Sequence, residues 1–75
     1  MRRRVSYKNL WKLLIDMDLS KKQLEIDSGV SHASIAKLGK DGNVTTDVLV
    51  RICDALDCEI ADIMELVPRT EEELS

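Results

Sequence analysis

The chain lacks the features by which several classes of protein declare themselves. It has one proline and three glycines, too few for a loop-rich, disordered or fibrous polypeptide. Its longest unbroken apolar runs are about three residues, whereas a helix that crosses a bilayer needs roughly 20. Arg2, Arg3 and Arg4 are followed by no apolar stretch of signal-peptide length, so a cytoplasmic location is expected. Cys53 and Cys58 fall short of the roughly four to eight cysteines of a disulfide-stapled small domain. With His32 as the single histidine, they also fall short of the about four ligands of a zinc site. Both thiols are expected to be reduced, with Cys53 a small core residue. No Ser–His–Asp arrangement, glycine-rich phosphate loop or metal cluster is present to activate a nucleophile, so neither catalysis nor a cofactor is expected. No segment alternates apolar and polar residues for long, and strands are not required.

What remains is 75 residues, 44% hydrophobic and 33% charged, enough for one small domain. A domain of this size buries roughly 60% of the surface of its unfolded chain, so nearly every core residue matters. The net charge is −3, which argues weakly against a nucleic-acid partner. The distribution argues otherwise. Residues 1–40 hold nine basic and four acidic residues, a balance of +5, and residues 41–75 hold two basic and ten acidic, a balance of −8. The field near the first half is positive although the molecule is acidic.

The apolar residues fall at three- and four-residue spacing, which predicts five helices. The first runs from about Ser6, as N-cap, to Met17, with Leu10, Leu13, Leu14 and Met17 on one face. Trp11 and Ile15 widen that face. Either Trp11 closes the edge of the core, or the helix has a second contact. Ser20 caps the second helix, with Gln23 placed to complete a capping box. Gly29 falls where a left-handed C-cap ends it. Ser31 caps a third helix over 32–38, with Ile35 and Leu38 inward and His32, Ala33, Ser34 and Lys37 outward. Residues 39–43 form a turn. Thr45 caps a fourth helix carrying Val48, Leu49, Ile52, Cys53 and Leu56, and a short fifth holds Ile60, Ile63 and Met64. Pro68 ends the packed region, before an acidic tail over 68–75 that contains Glu71, Glu72 and Glu73. Residues 1–5 make a flexible basic arm, and residues 6–67 make the domain.

Two short helices joined by a tight, glycine-containing turn form a helix-turn-helix. Here the unit spans Ser20 to Leu38. Leu24, Val30 and Ile35 can meet beneath the turn and set the angle between the helices. Small residues opening the third helix let it approach a groove that admits one α-helix.

On these residues the chain resembles the lambda-repressor-like, or Cro-type, helix-turn-helix domains of bacterial and phage regulators, the xenobiotic-response-element family. The resemblance covers roughly residues 6–66. It rests on Leu10-Trp-Lys-Leu-Leu, Leu19-Ser-Lys-Lys-Gln-Leu, Gly29-Val-Ser-His-Ala-Ser-Ile-Ala-Lys-Leu, the Thr45-to-Leu56 block and Glu59-Ile-Ala-Asp-Ile-Met, in that order. It implies an all-α, five-helix bundle that binds DNA in transcriptional control. It places Lys21 where these domains usually have a glutamine on the DNA backbone, and His32, Ala33 and Ser34 at the exposed start of the recognition helix, behind the cap Ser31. It places Lys37 one turn on, and Lys40 and Asn43 in a phosphate-gripping loop. Glu25 departs from the usual small residue and would repel DNA unless turned aside, and Gly39 replaces a usual acid.

The implied interface has Lys21, Lys22, Lys37 and Lys40 for phosphate, with Arg2–Arg4 as further candidates, which makes binding salt-dependent. The recognition-helix tip has no arginine, asparagine or glutamine, so one copy discriminates bases modestly. A homodimer on a near-palindromic operator, acting as a repressor, is therefore expected. The rival is a protein-interaction module, or an antitoxin-like regulator binding a protein partner through the same bundle. Each lysine has the alternative of being a solvated surface charge, and Arg2–Arg4 either enter a DNA minor groove as a disordered arm or form an inert tail.

Overall fold

In the computed structural model, which describes residues 2–70, five helices follow one another between two short strands. The order is β1 (Arg3–Ser6), α1 (Lys8–Asp16), α2 (Lys21–Ser28), α3 (His32–Gly39), α4 (Thr46–Leu56), α5 (Ile60–Ile63) and β2 (Glu65–Pro68). Glu71–Glu73 of the expected acidic tail lie outside the described residues.

Three helix starts follow the local chemistry of the sequence. Ser20 Oγ accepts the Gln23 N–H at 3.0 Å, Ser31 Oγ accepts the Ser34 N–H at 3.2 Å, and Thr45 Oγ1 accepts the Val48 N–H at 3.3 Å. Each satisfies one donor that the first helical turn leaves without a partner. The α2 capping box is only half made. Gln23 Nε2 donates to Asp27 Oδ1, one turn on, at 2.8 Å. Gly29 ends α2 at φ +70°, and its N–H reaches the Glu25 carbonyl. That left-handed backbone is open to glycine without a Cβ clash.

The all-α expectation is corrected by an antiparallel two-stranded sheet that pairs Arg3 with Pro68, Arg4 with Val67, Val5 with Leu66 and Ser6 with Glu65. An Arg69 N–H to Arg2 carbonyl bond of 2.9 Å continues the ladder. Arg3, Arg4 and Val5, expected in a flexible arm, are thus strand residues, and Pro68 closes β2. Four-residue strands are too short to show alternation, and their partners lie some sixty residues away, so the pairing leaves no local signal. The sheet also moves the start of α1. Ser6 stays extended, and Tyr7 becomes the N-cap residue. The Tyr7 N–H donates to Asp41 Oδ1 at 2.9 Å, and Asp41 Oδ2 takes the Arg4 guanidinium at 3.1 Å. Asp41, itself at φ +54°, thereby ties the turn after α3 to the junction of β1 and α1. Burial, and then the Asp41 charge, push the Tyr7 phenol above its usual range.

The core draws one fully buried aliphatic side chain from every helix: Leu10, Leu24, Leu38, Ile52 and Ile63. Tyr7, Leu14, Val30, Ile35, Leu49 and Leu56 complete it. Leu24, Val30 and Ile35 lie in this one cluster under the helix-turn-helix, as their spacing predicts. Cys53 and Cys58 are free thiols packed half-buried against it. The wide face of α1 divides. Trp11 packs on the core edge, while Ile15 is left 75% exposed.

Candidate nucleic-acid interface

Between α2 and α3 runs an open groove with Ile35 at its base, edged by Lys21, Lys22 and Glu25 from α2 and by His32, Ala36, Gly39 and Lys40 from α3 and its end. Its position follows from the tight Gly29 turn, which sets the two helices against each other over Leu24, Val30 and Ile35.

His32 is 86% exposed at its side chain, and Ala33 is exposed beside it. Ser31 and Ser34 are joined by two bonds, the cap itself and a 3.1 Å bond from Ser31 Oγ to Ser34 Oγ. Ser34 is half-buried, so one lone pair of its hydroxyl is occupied within the cap. Lys37 is exposed on the last turn of α3, where the carbonyl end of a helix favours a cation. Its carbonyl accepts N–H bonds from Lys40 and Gly42, which folds the chain sharply after the helix. Lys40 and Asn43 are exposed on either side of that turn. The tip residues of α3 and the lysines Lys37 and Lys40 therefore belong to one short helix and its end. Asn43 stands further along the connecting segment.

Three features were not legible in the sequence. Lys21 Nζ sits 4.5 Å from the centroid of the Trp11 ring, a cation–π contact that restrains a flexible ammonium. The same Nζ lies 3.8 Å from the point where a Cβ on Gly39 would stand, so Lys21 reaches across the groove towards the end of α3. Glu25, which would repel an anionic ligand if it faced outward, is only 16% exposed, with Oε2 3.3 Å from His32 Nδ1. Its carboxylate is turned onto the histidine rather than outward. Each of these pairs joins residues from different helices, and neither residue of a pair signals the other locally.

The acidic half of the chain gathers elsewhere. Asp54, Asp57 and Glu59 edge a second depression with Val50, Cys53, Cys58 and Ile60 at the α4–α5 turn, and this lining shares no residue with the α2–α3 groove. Burial, the neighbouring Cys53 thiol and the carboxylates of Asp62 and Glu59 push Cys58 up to about 11. Among the described residues no group of three His, Cys, Asp or Glu side chains is placed to hold a metal ion, and no helix is long and apolar enough to cross a membrane.

Comparison with known proteins places these features in a family. Among curated proteins no match was found. Among solved structures, the chain is similar to the crystal structure of the transcriptional regulator VanUg (form II). The two share 49% sequence identity with a TM-score of 0.86, over 92% of each chain. The model of the Cro/C1-type HTH DNA-binding domain matches residues 9–69, from within α1 to just past β2. A helix-turn-helix closed by two further helices is thus not a chance packing of short amphipathic segments, and the chain belongs to the Cro/C1-type HTH DNA-binding domain family.

Proposed function

We propose that this protein is a transcriptional regulator that binds double-stranded DNA sequence-specifically, with α3 in the major groove. The observation that carries the reading is the outward display of His32 and Ala33 at the start of α3, flanked by Lys21, Lys22, Lys37 and Lys40. A helix of this kind reads base edges with its N-terminal residues, while lysines beside it neutralise phosphates and fix its register. Ala33 meets a thymine methyl, Ser34 and His32 make single hydrogen bonds, and Asn43 and Lys40 hold the backbone beyond the helix. VanUg is described as a transcriptional regulator, which supports the same role here.

One copy offers few base contacts, so the proposal includes a homodimer on a near-palindromic operator and repression by occupying that site. Two copies double the contacts without changing the fold. Selection of bound sequences from a random DNA pool at two ionic strengths tests the reading. A shared half-site motif should emerge, and affinity should fall with salt by a log–log slope of about −0.9 per phosphate contact. No enriched motif, or a complex containing a single copy at micromolar concentration, would count against it.

A further inference from the structure

The Glu25–His32 contact has a chemical consequence for what α3 reads. An ionised carboxylate accepts hydrogen bonds and donates none. Glu25 Oε2 faces His32 Nδ1 at 3.3 Å, so the hydrogen must sit on Nδ1. In the neutral ring Nε2 then carries a lone pair and is an acceptor. An isolated neutral imidazole in water favours the opposite tautomer, with hydrogen on Nε2. The carboxylate is the less exposed member of the pair, at 16% against 86% for the imidazole, so it is the fixed partner and the ring is the part that projects.

The major groove answers the two tautomers differently. Adenine and cytosine present amino hydrogens there, whereas guanine presents the acceptors N7 and O6, and thymine an acceptor and a methyl group. We propose that Glu25 is a positioning residue that determines specificity: by accepting the Nδ1 hydrogen of His32, it makes Nε2 an acceptor that selects a base amino group, on adenine or cytosine. This rests on the reading of α3 as the groove-binding helix. It also gives the carboxylate at position 25 a task in place of the repulsion it would exert if it faced the groove. Lys21, Lys22 and Lys40 line the same groove and offer donors only, so they compete for phosphate oxygens and leave this role to the imidazole.

The test has two arms. His32 is the only histidine, so its ring nitrogens give unambiguous signals in a ¹⁵N-labelled free protein. At about pH 8.5, above the range in which ordinary imidazoles titrate, the wild-type protein should show the Nδ1–H tautomer. Glu25→Gln, whose amide oxygen still accepts, should retain it, and Glu25→Ala should revert to Nε2–H. A wild-type ring with hydrogen on Nε2 overturns the proposal without any reference to DNA. In the second arm, each protein selects from the random DNA pool at the same pH. The wild type and Glu25→Gln should enrich adenine or cytosine at one half-site position, and Glu25→Ala should lose about tenfold of that preference while keeping its salt dependence. If Glu25→Ala selects the same base as strongly as wild type, the specificity role falls and the DNA-binding reading stands. If the wild type enriches no sequence at all, both fall.

Discussion

At the residue scale, two glycines of similar appearance in the sequence behave oppositely. Gly29 sits at φ +70°, where a side chain costs about 1 kcal/mol or more. Gly39 has no such backbone, and a Cβ there would meet only Lys21 Nζ, at an ordinary 3.8 Å. Gly29→Ala should therefore lower the melting temperature by roughly 4–8 °C for each kcal/mol lost. Gly39→Ala should raise stability by about 0.5 kcal/mol through the unfolded chain, and thermal unfolding distinguishes the two. In the proposed complex Lys21 is a phosphate contact whose ammonium is held in place beforehand by Trp11. Lys21→Ala should weaken DNA binding across all sequences and reduce the salt slope by about 1, as measured by titration at several salt concentrations.

At the element scale, α3 is eight residues long, and a helix so short has little intrinsic stability. It is held by its Ser31 cap, by the buried Ile35 and Leu38, and by the bonds from Lys40 and Gly42 that close its end. Ser31→Ala should cost about 1 kcal/mol and weaken DNA binding in parallel, whereas Lys37→Ala should weaken binding with unfolding unchanged. A stability measurement beside each binding curve separates the two. The starts of α2, α3 and α4 were readable because a cap and its donor lie three residues apart. The strands were not. Val5 and Leu66, or Ser6 and Glu65, find each other only when the five helices bring the two ends of the domain together. Ser6 reads locally as an N-cap, yet strand pairing on one side and Asp41 on the other leave that position to Tyr7.

At the scale of the whole molecule, the charge asymmetry of the chain becomes a spatial one, with the lysine-edged groove formed by α2 and α3 and a carboxylate cluster at the α4–α5 turn. Burial first, then the neighbouring Cys53 thiol and the Asp62 and Glu59 carboxylates, raise Cys58 from its ordinary 9.0 to about 11, and burial first of all raises Cys53. Folding favours the neutral thiols, so this contribution is complete below about pH 9 and is lost as the pH climbs towards 11. Denaturant unfolding should show stability falling across that alkaline window, and Cys58→Ala should flatten the fall. The core responds at the same scale. Ile52→Ala removes the α4 member of the set in which every helix supplies one fully buried side chain. It should cost about 2–5 kcal/mol, a large share of the roughly 5–15 kcal/mol that a domain possesses.

The sequence by itself determined the five helices, the caps of α2, α3 and α4, the Gly29 turn and the outward order of His32 and Ala33, because each depends on neighbours within about four residues along the chain. Only the tertiary structure decided the sheet that joins the ends, the clasp of Asp41 on Tyr7 and Arg4, the seat of Lys21 on Trp11 and the turning of Glu25 onto His32. These contacts join different elements, and their geometry exists only after the shared core has fixed how the helices cross.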